Sequence, residues 1–394
     1  MKNKFSYRLF EFLILFYVLW GGYAWFTWWL RLSKPAPYVM HSLGLIIAIV
    51  YQIQHHIQFN LTRRNILAIL FLFAADFCGT HYTGTGIITS PVHFIFKFYP
   101  LFVLLCDHKH GADILRFVCK STAFLLVPSI VLYLIMVLLP VIPSATISLE
   151  EFDDSYTFYN YFFLLRNIFF DDFRFQAFFL EPSYLAAVCL FLLYAQRFDL
   201  KKRENVILIV ALLLSTSLAG YMVGLLGYIF IRIINKKRVI GWVGVAVFLF
   251  GLYLFAINYK QGNNLLNTFI VERLQPDEEL VIAGNNRTTV QAAFYFDYMW
   301  STGQLWMGVG AKGLEQMDEH IAGDGYMLYF MQFGIIASVF YFLFYWYAGV
   351  SGTNGLRRRH MISFFILILV FFIPTAHLNE YNWLIPFLLA KHLT

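Results

Sequence analysis

The chain has 394 residues, of which 60% are hydrophobic, 20% aromatic and only 13% charged. That much apolar surface excludes a water-soluble fold, and a chain in lipid must satisfy its own backbone hydrogen bonds as helices or a closed barrel. Unbroken apolar runs of roughly 20 residues select helices, and the net charge of +6 reads as a record of orientation rather than as a nucleic-acid surface.

The sequence predicts an all-α, polytopic integral membrane protein of about 11–12 transmembrane helices, forming one domain over 1–394. Its first span, 9–30, has a basic flank (Lys2, Lys4, Arg8), but it is too long and too rich in Trp for a cleaved leader. Further spans are expected at 38–57, 65–83, 86–106, 121–142, 177–196, 205–217, 219–234, 239–258, 323–348 and 361–375, with a short closing helix at 380–392. Basic clusters at the N-terminus, Arg63–Arg64, Lys109–Lys120, Arg197–Arg203, Arg232–Arg238 and Arg357–Arg359 all fall on one side of this arrangement. The positive-inside rule makes that side, with the N-terminus, cytoplasmic. Two long polar segments, 143–176 and 259–322, then lie outside and carry most of the acidic residues. The first is read as an amphipathic stretch in the outer interface. The four cysteines have no metal-like spacing and read as small buried hydrophobes.

Candidate functional residues are the polar groups that lipid should disfavour. Glu181 stands near the outer end of its span, in "FFLEPSYLA". Pro182 suits a first helical position and pushes Glu181 toward an extended conformation, with Ser183 able to donate to it. Glu181 is either a functional carboxylate at the rim of an outer cavity or a helix-capping acid. Asp76 and Lys97 both fall ~15–16 Å from the inner face on adjacent antiparallel helices, so they form a buried ion pair or contact a lipid head group. Outside arginines are rare under this topology. Arg287, Arg273, Arg166 and Arg174 either bind phosphate or pair with loop acids. "GVGAKG" (Gly308–Gly313) imitates a dinucleotide motif without the preceding strand, although its amides and Lys312 could approach an anion. His320 and Asp324 precede the next span, His320 as a general base or a solvated loop residue. "STS" (Ser215–Ser217) makes a turn between two spans. Neither a metal site nor a cofactor motif is present in the sequence.

Four stretches occur in an order that resembles the bacterial O-antigen and exopolysaccharide repeat-unit polymerases, the Wzy family. They are "FFLEPSYLA", "LLLSTSLAGYMVGLLGYIF", "NNRTTVQAAFYFDYMWSTGQLWMGVGAKG" and "DGYMLYFMQFGIIASVF". The resemblance covers about residues 177–348. It implies an enzyme of the plasma membrane that joins oligosaccharide units carried on undecaprenyl pyrophosphate, at the outer face, into lipopolysaccharide O-antigen or another surface polysaccharide. The lipid-linked donor and acceptor would be its partners, with a chain-length regulator, a flippase and a ligase beside it and no nucleic acid. Under that resemblance Glu181, Asp324 and His320 are the catalytic candidates. Arg287, Arg166, Arg174, Arg273, Lys312, Ser183 and Ser217 are candidates for binding pyrophosphate or glycan. Two features depart from related patterns: the serine turn lacks the arginine expected in it, and Gly323–Asp324 stands where the related O-antigen ligases carry a His-Asn pair. A ligase-type glycosyltransferase and a lipid-linked glycan flippase are the rival readings. A transporter is expected to show repeated halves, and no repeat is found.

Overall fold

A computed structural model of the chain describes residues 2–32, 35–59, 62–78, 90–139, 141–148, 157–168, 174–235, 290–317, 325–375, 378 and 380–393, with isolated residues between 251 and 282. Within them are fourteen α-helices. We number these α1 (Lys2–Gly21), α2 (Trp25–Leu32), α3 (Ala36–Gln54), α4 (Arg63–Asp76), α5 (Ser90–Cys106), α6 (Gly111–Leu138) and α7 (Pro182–Ala195). They continue as α8 (Arg203–Leu214), α9 (Leu218–Ile234), α10 (Val290–Thr302), α11 (Gly310–Met317), α12 (Tyr326–Tyr345), α13 (Gly355–Thr375) and α14 (Tyr381–Ala390). Three helices are long and apolar enough to cross a membrane: α3, α6 and α12 with its π-helical continuation to Val350. Val39, Leu43, Ile46 and Ile53 of α3, and Phe124, Val131, Leu134 and Leu138 of α6, are exposed. Apolar faces of that extent fit lipid better than water.

Several boundaries correct the sequence-based ones. The first span is broken after Gly21, because residues 23–25 leave the helix and pair with 178–180: Trp25 N donates to Phe178 O at 2.9 Å and Leu180 N to Tyr23 O at 3.1 Å. Tyr23 takes a left-handed φ of 56° to make this turn. Gly21 lets the end of α1 meet the start of α14 backbone to backbone, since a Cβ there would lie 2.5 Å from Asn382 N. Helix α6 begins ten residues earlier than expected (111 against 121), capped where the Asp107 carboxylate accepts from Lys109 N and His110 N at 3.1 and 3.0 Å. The segment 143–176, read from sequence as an amphipathic stretch, contains strands. It carries an antiparallel three-stranded sheet, β1 (Ala145–Ser148), β2 (Thr157–Asn160) and β3 (Leu165–Asn167). Its alternation of Tyr and Phe with polar residues buries Phe158 and Leu165 on one face against Leu180. Segment 259–322 contains α10, α11 and a two-residue ladder, β4 (Pro276–Asp277) with β5 (Val281–Ile282). Of the expected span 239–258, most residues lie outside the described ones. Three cysteines are buried and Cys78 is half-buried, in line with small packing residues.

Side-chain contacts gather the basic clusters at one end of the molecule. Arg64 at the start of α4 donates to Ser351 O at 3.1 Å. Lys391 after α14 donates to Leu105 O at 2.9 Å, and Lys202 to Gln196 Oε1 at 2.7 Å. Tyr51 near the end of α3 donates to Asp107 Oδ2 at 2.6 Å and stacks on Phe10 of α1 at 4.1 Å. Helices α3, α5, α7, α12 and α14 therefore finish at this end, and α4, α6, α8 and α13 start there. Serine, glutamate and tyrosine groups collect at the other.

Candidate functional site

Glu181 caps α7 in an extended conformation (φ −139°, ψ 152°), with Pro182 in the first turn as the sequence predicts. Its side chain makes no capping hydrogen bond to the helix. Instead Ser183 Oγ donates to Glu181 Oε2 at 2.7 Å. This tells against the capping role weighed from sequence, since a capping acid accepts from amides of the first turn. Ser217 shows the contrast. It caps α9 by accepting from Gly220 N at 3.3 Å, so its hydroxyl is used structurally.

Beside Glu181 lies a narrow cleft lined by Tyr23, Ser183, Tyr184, Thr375, Glu380 and Trp383. Glu380 repeats the arrangement of Glu181. It precedes α14 in an extended conformation (φ −81°, ψ 138°) and likewise makes no side-chain cap. Tyr23 joins the two helix starts. Its hydroxyl donates to Glu380 Oε1 at 2.8 Å, and its ring stacks on Tyr184 at 4.5 Å. Two carboxylates thus stand at the starts of two adjacent helices. Glu380 was missed in the sequence reading. The signal was there: an acid immediately before an apolar helix, as at Glu181, but in a segment read only as a closing helix.

Arg174 reaches the serine turn. Its Nε donates to Thr216 Oγ1 and its Nη2 to Thr216 O, both at 3.1 Å. An arginine from the segment before α7 thus stands at this turn. Gly220 of α9 packs directly on Ala186 of α7, which sets this turn at the carboxylate end. Arg166 sits in β3 opposite Tyr159, a separate attachment from that of Arg174. Arg273, Arg287, His320 and Asp324 lie outside the described residues. So does the side chain of Lys312, whose backbone is in α11.

The glycine-rich loop proves to be a packing element at its first glycine. Gly308 (φ 72°) approaches the backbone of α12 so closely that a Cβ would lie 2.5 Å from Gln332 O. Val309 N donates to Met331 O at 2.9 Å. Helix α12 is kinked to receive it, with Gly334 at φ 85°, ψ 158°. Gly308 thus spends its freedom on helix contact rather than on cradling an anion.

Deeper in the helices, Lys97 Nζ and Asp76 Oδ1 pair at 3.1 Å. Tyr381, the residue after Glu380, donates to Lys97 O at 3.0 Å. The pair supports the helices beneath the cleft and settles the sequence alternatives toward an ion pair. Among the described residues, no three of His, Cys, Asp and Glu come together to hold a metal ion.

The fold and site define a helical protein with membrane character and, at one end, a narrow cleft lined by Glu380 with Glu181 beside it. Comparison with known proteins adds no name, because no family model, curated protein or solved structure matches the chain.

Proposed function

We propose that the chain is a polytopic membrane glycosyltransferase of the repeat-unit polymerase kind, with about twelve crossings. In this reading the basic end faces the cytoplasm and the carboxylate cleft faces outward. The observation that carries it is Glu181, which is held extended ahead of Pro182, bonded by Ser183 and free of any capping duty to its helix. Lipid tolerates a carboxylate poorly, so one held extended at the start of a helix without capping it points to chemistry.

The reaction joins a hydroxyl oxygen of one glycan to the anomeric carbon of another. The bond from that carbon to the pyrophosphate oxygen breaks, and its electron pair leaves with undecaprenyl pyrophosphate. The hydroxyl proton passes to Glu181, which acts as the general base. Ser183 orients the receiving carboxylate. Glu380, fixed by Tyr23, positions the acceptor sugar by accepting from its other hydroxyls. The charge growing on the pyrophosphate calls for guanidinium donors. Arg287 is our leading assignment for that role, with Arg174 at the serine turn as support.

The test uses purified protein and a synthetic undecaprenyl-pyrophosphate repeat unit. Wild type should yield a ladder of polymer. Glu181→Gln keeps shape while removing the base, and should lower the rate more than about a hundredfold, which corresponds to ~3 kcal/mol of transition-state stabilisation. Polymerisation by Glu181→Gln at the wild-type rate would remove Glu181 from the chemistry. A wild-type protein that moves the lipid-linked unit across a bilayer without joining units would favour the flippase reading.

A further inference from the structure

The hairpin made by α10 and α11 runs alongside the first part of α12 rather than above it. Phe296 of α10 meets the ring of Tyr326, the first residue of α12, edge-on at 6.2 Å. The turn that follows α10 meets α12 about two helical turns further along. There Val309 N donates to Met331 O at 2.9 Å. Gly334 admits the turn so closely that a Cβ on it would lie 2.5 Å from the carbonyl carbon of Met307. Met299 and Leu305 are buried with Met331, and Tyr295 ties the two arms together by donating to Met317 O at 3.2 Å. Helix α12 and its continuation to Val350 are long and apolar enough to cross a membrane. From Tyr326 to Gly334 this helix descends ~12 Å, and from Gly334 to Val350 a further ~24 Å. A hydrocarbon core is about 30 Å thick, so the tip of the hairpin lies ~6–12 Å below the surface of that core on the carboxylate side.

The chemistry of the tip suits that depth. From Val290 to Gly310 the sequence carries one charged residue, Asp297. It adjoins Phe296, which places it level with the start of α12, where head groups would lie. Phe294, Tyr298, Trp300 and Trp306 are exposed, the two tryptophans at 59% and 53%, with their rings stacked at 6.4 Å. The polar groups between them bond inside the protein. Ser301 Oγ and Thr302 Oγ1 donate back to Tyr298 O at 2.8 and 3.0 Å. Gly303 N donates to Trp300 O, and Met307 N and Gly308 N both donate to Gln304 O. Non-helical backbone in lipid has to be satisfied by protein in this way, whereas a loop in water has no such need. Exposed tryptophans with an apolar body and one polar N–H are the side chains that bilayer interfaces favour.

We propose that the α10–α11 hairpin is a re-entrant element whose tip enters the leaflet on the carboxylate side, where Trp300 and Trp306 lie against phospholipid acyl chains. Part of the segment expected to lie wholly outside, 259–322, is then embedded in lipid, with Asp297 held at the head groups. The inference rests on α12 crossing the bilayer. It is independent of the glycosyl transfer proposed above and would persist if that chemistry were wrong.

Fluorescence quenching of the full chain in lipid nanodiscs tests it. Gln304→Cys, Asp297→Cys and Val339→Cys are made singly in a Cys78→Ser background, since the other three cysteines are buried. Each is labelled with an environment-sensitive nitrobenzoxadiazole dye. All three positions are exposed, so the changes leave the packing intact, and Val339, further along α12 than Gly334, reports whether that helix is in the bilayer. Phosphatidylcholine bearing a nitroxide on its acyl chain should quench the dye at position 304 and at position 339, and aqueous iodide should quench neither. At position 297 iodide should quench. Loss of fluorescence to iodide at position 304, while position 339 responds only to the lipid quencher, overturns the insertion of the hairpin and leaves α12 in the bilayer. Protection of position 304 from both quenchers overturns it too, because a protein surface, such as a second copy of this chain, then covers the tip. Quenching by iodide at both 304 and 339 removes α12 from the bilayer and the hairpin with it.

Discussion

The two ends of the helix assembly use buried polarity differently. At the carboxylate end, Glu181 and Glu380 accept from Ser183 and Tyr23, which are neutral hydroxyl donors. At the basic end, Asp107 spends both oxygens on structure, receiving Tyr51, His110 and the amides that begin α6. The Asp76–Lys97 pair sits between the two, opposite charges neutralising each other. An acid whose bonds hold elements together should affect abundance when lost. An acid that stands at a helix start without capping it should affect turnover.

The largest effect should come from the middle. Asp76→Asn leaves Lys97 without its counter-charge, and breaking a buried pair costs ~3–5 kcal/mol. Folded protein in the membrane should fall sharply, measured by fluorescence-detected size exclusion. Asp76→Asn with Lys97→Met should recover part of it; a double variant as poor as the two singles combined would break the pairing argument. Next comes Glu181→Gln, with its hundredfold loss of polymerisation at unchanged abundance. Should abundance fall instead, the carboxylate end is as structural as the basic end and the comparison collapses. Glu380→Gln should be milder, about tenfold in rate or ~1.4 kcal/mol, because it positions rather than accepts the proton. A raised KM with little change in kcat would sharpen that role. Smallest is Tyr23→Phe. It removes one hydrogen bond and keeps the ring on Tyr184, a net loss of about 1 kcal/mol. Thermal stability should drop by a few degrees and turnover should shift in the same direction as in Glu380→Gln.

Local rules made part of this legible from sequence. Proline fixes the backbone around itself, so the extended Glu181 and the helix start at Pro182 could be read directly. Depth follows from helical rise, so Asp76 and Lys97 could be matched across two helices. Contacts between distant segments were hidden. Nothing near Gly21–Gly22 announces that residues 23–25 will pair with 178–180. The strands between 145 and 167 were obscured because Tyr and Phe serve a sheet face as well as an interfacial helix. Arg174 appeared as a loop charge, and only the fold carries it to Thr216. Gly308 looked like an anion loop because its real partner, the kink at Gly334, is set by tertiary packing.

The bond from Tyr23 to Glu380 joins residues 357 positions apart. A ribosome makes Tyr23 early and Glu380 near the end of its work. Tyr23 must therefore wait for its partner while more than three hundred residues are synthesised. Until α14 arrives, the cleft has one carboxylate and an open wall. The cleft is a contact between the two ends of the sequence, and it cannot be completed before the chain is almost entirely made.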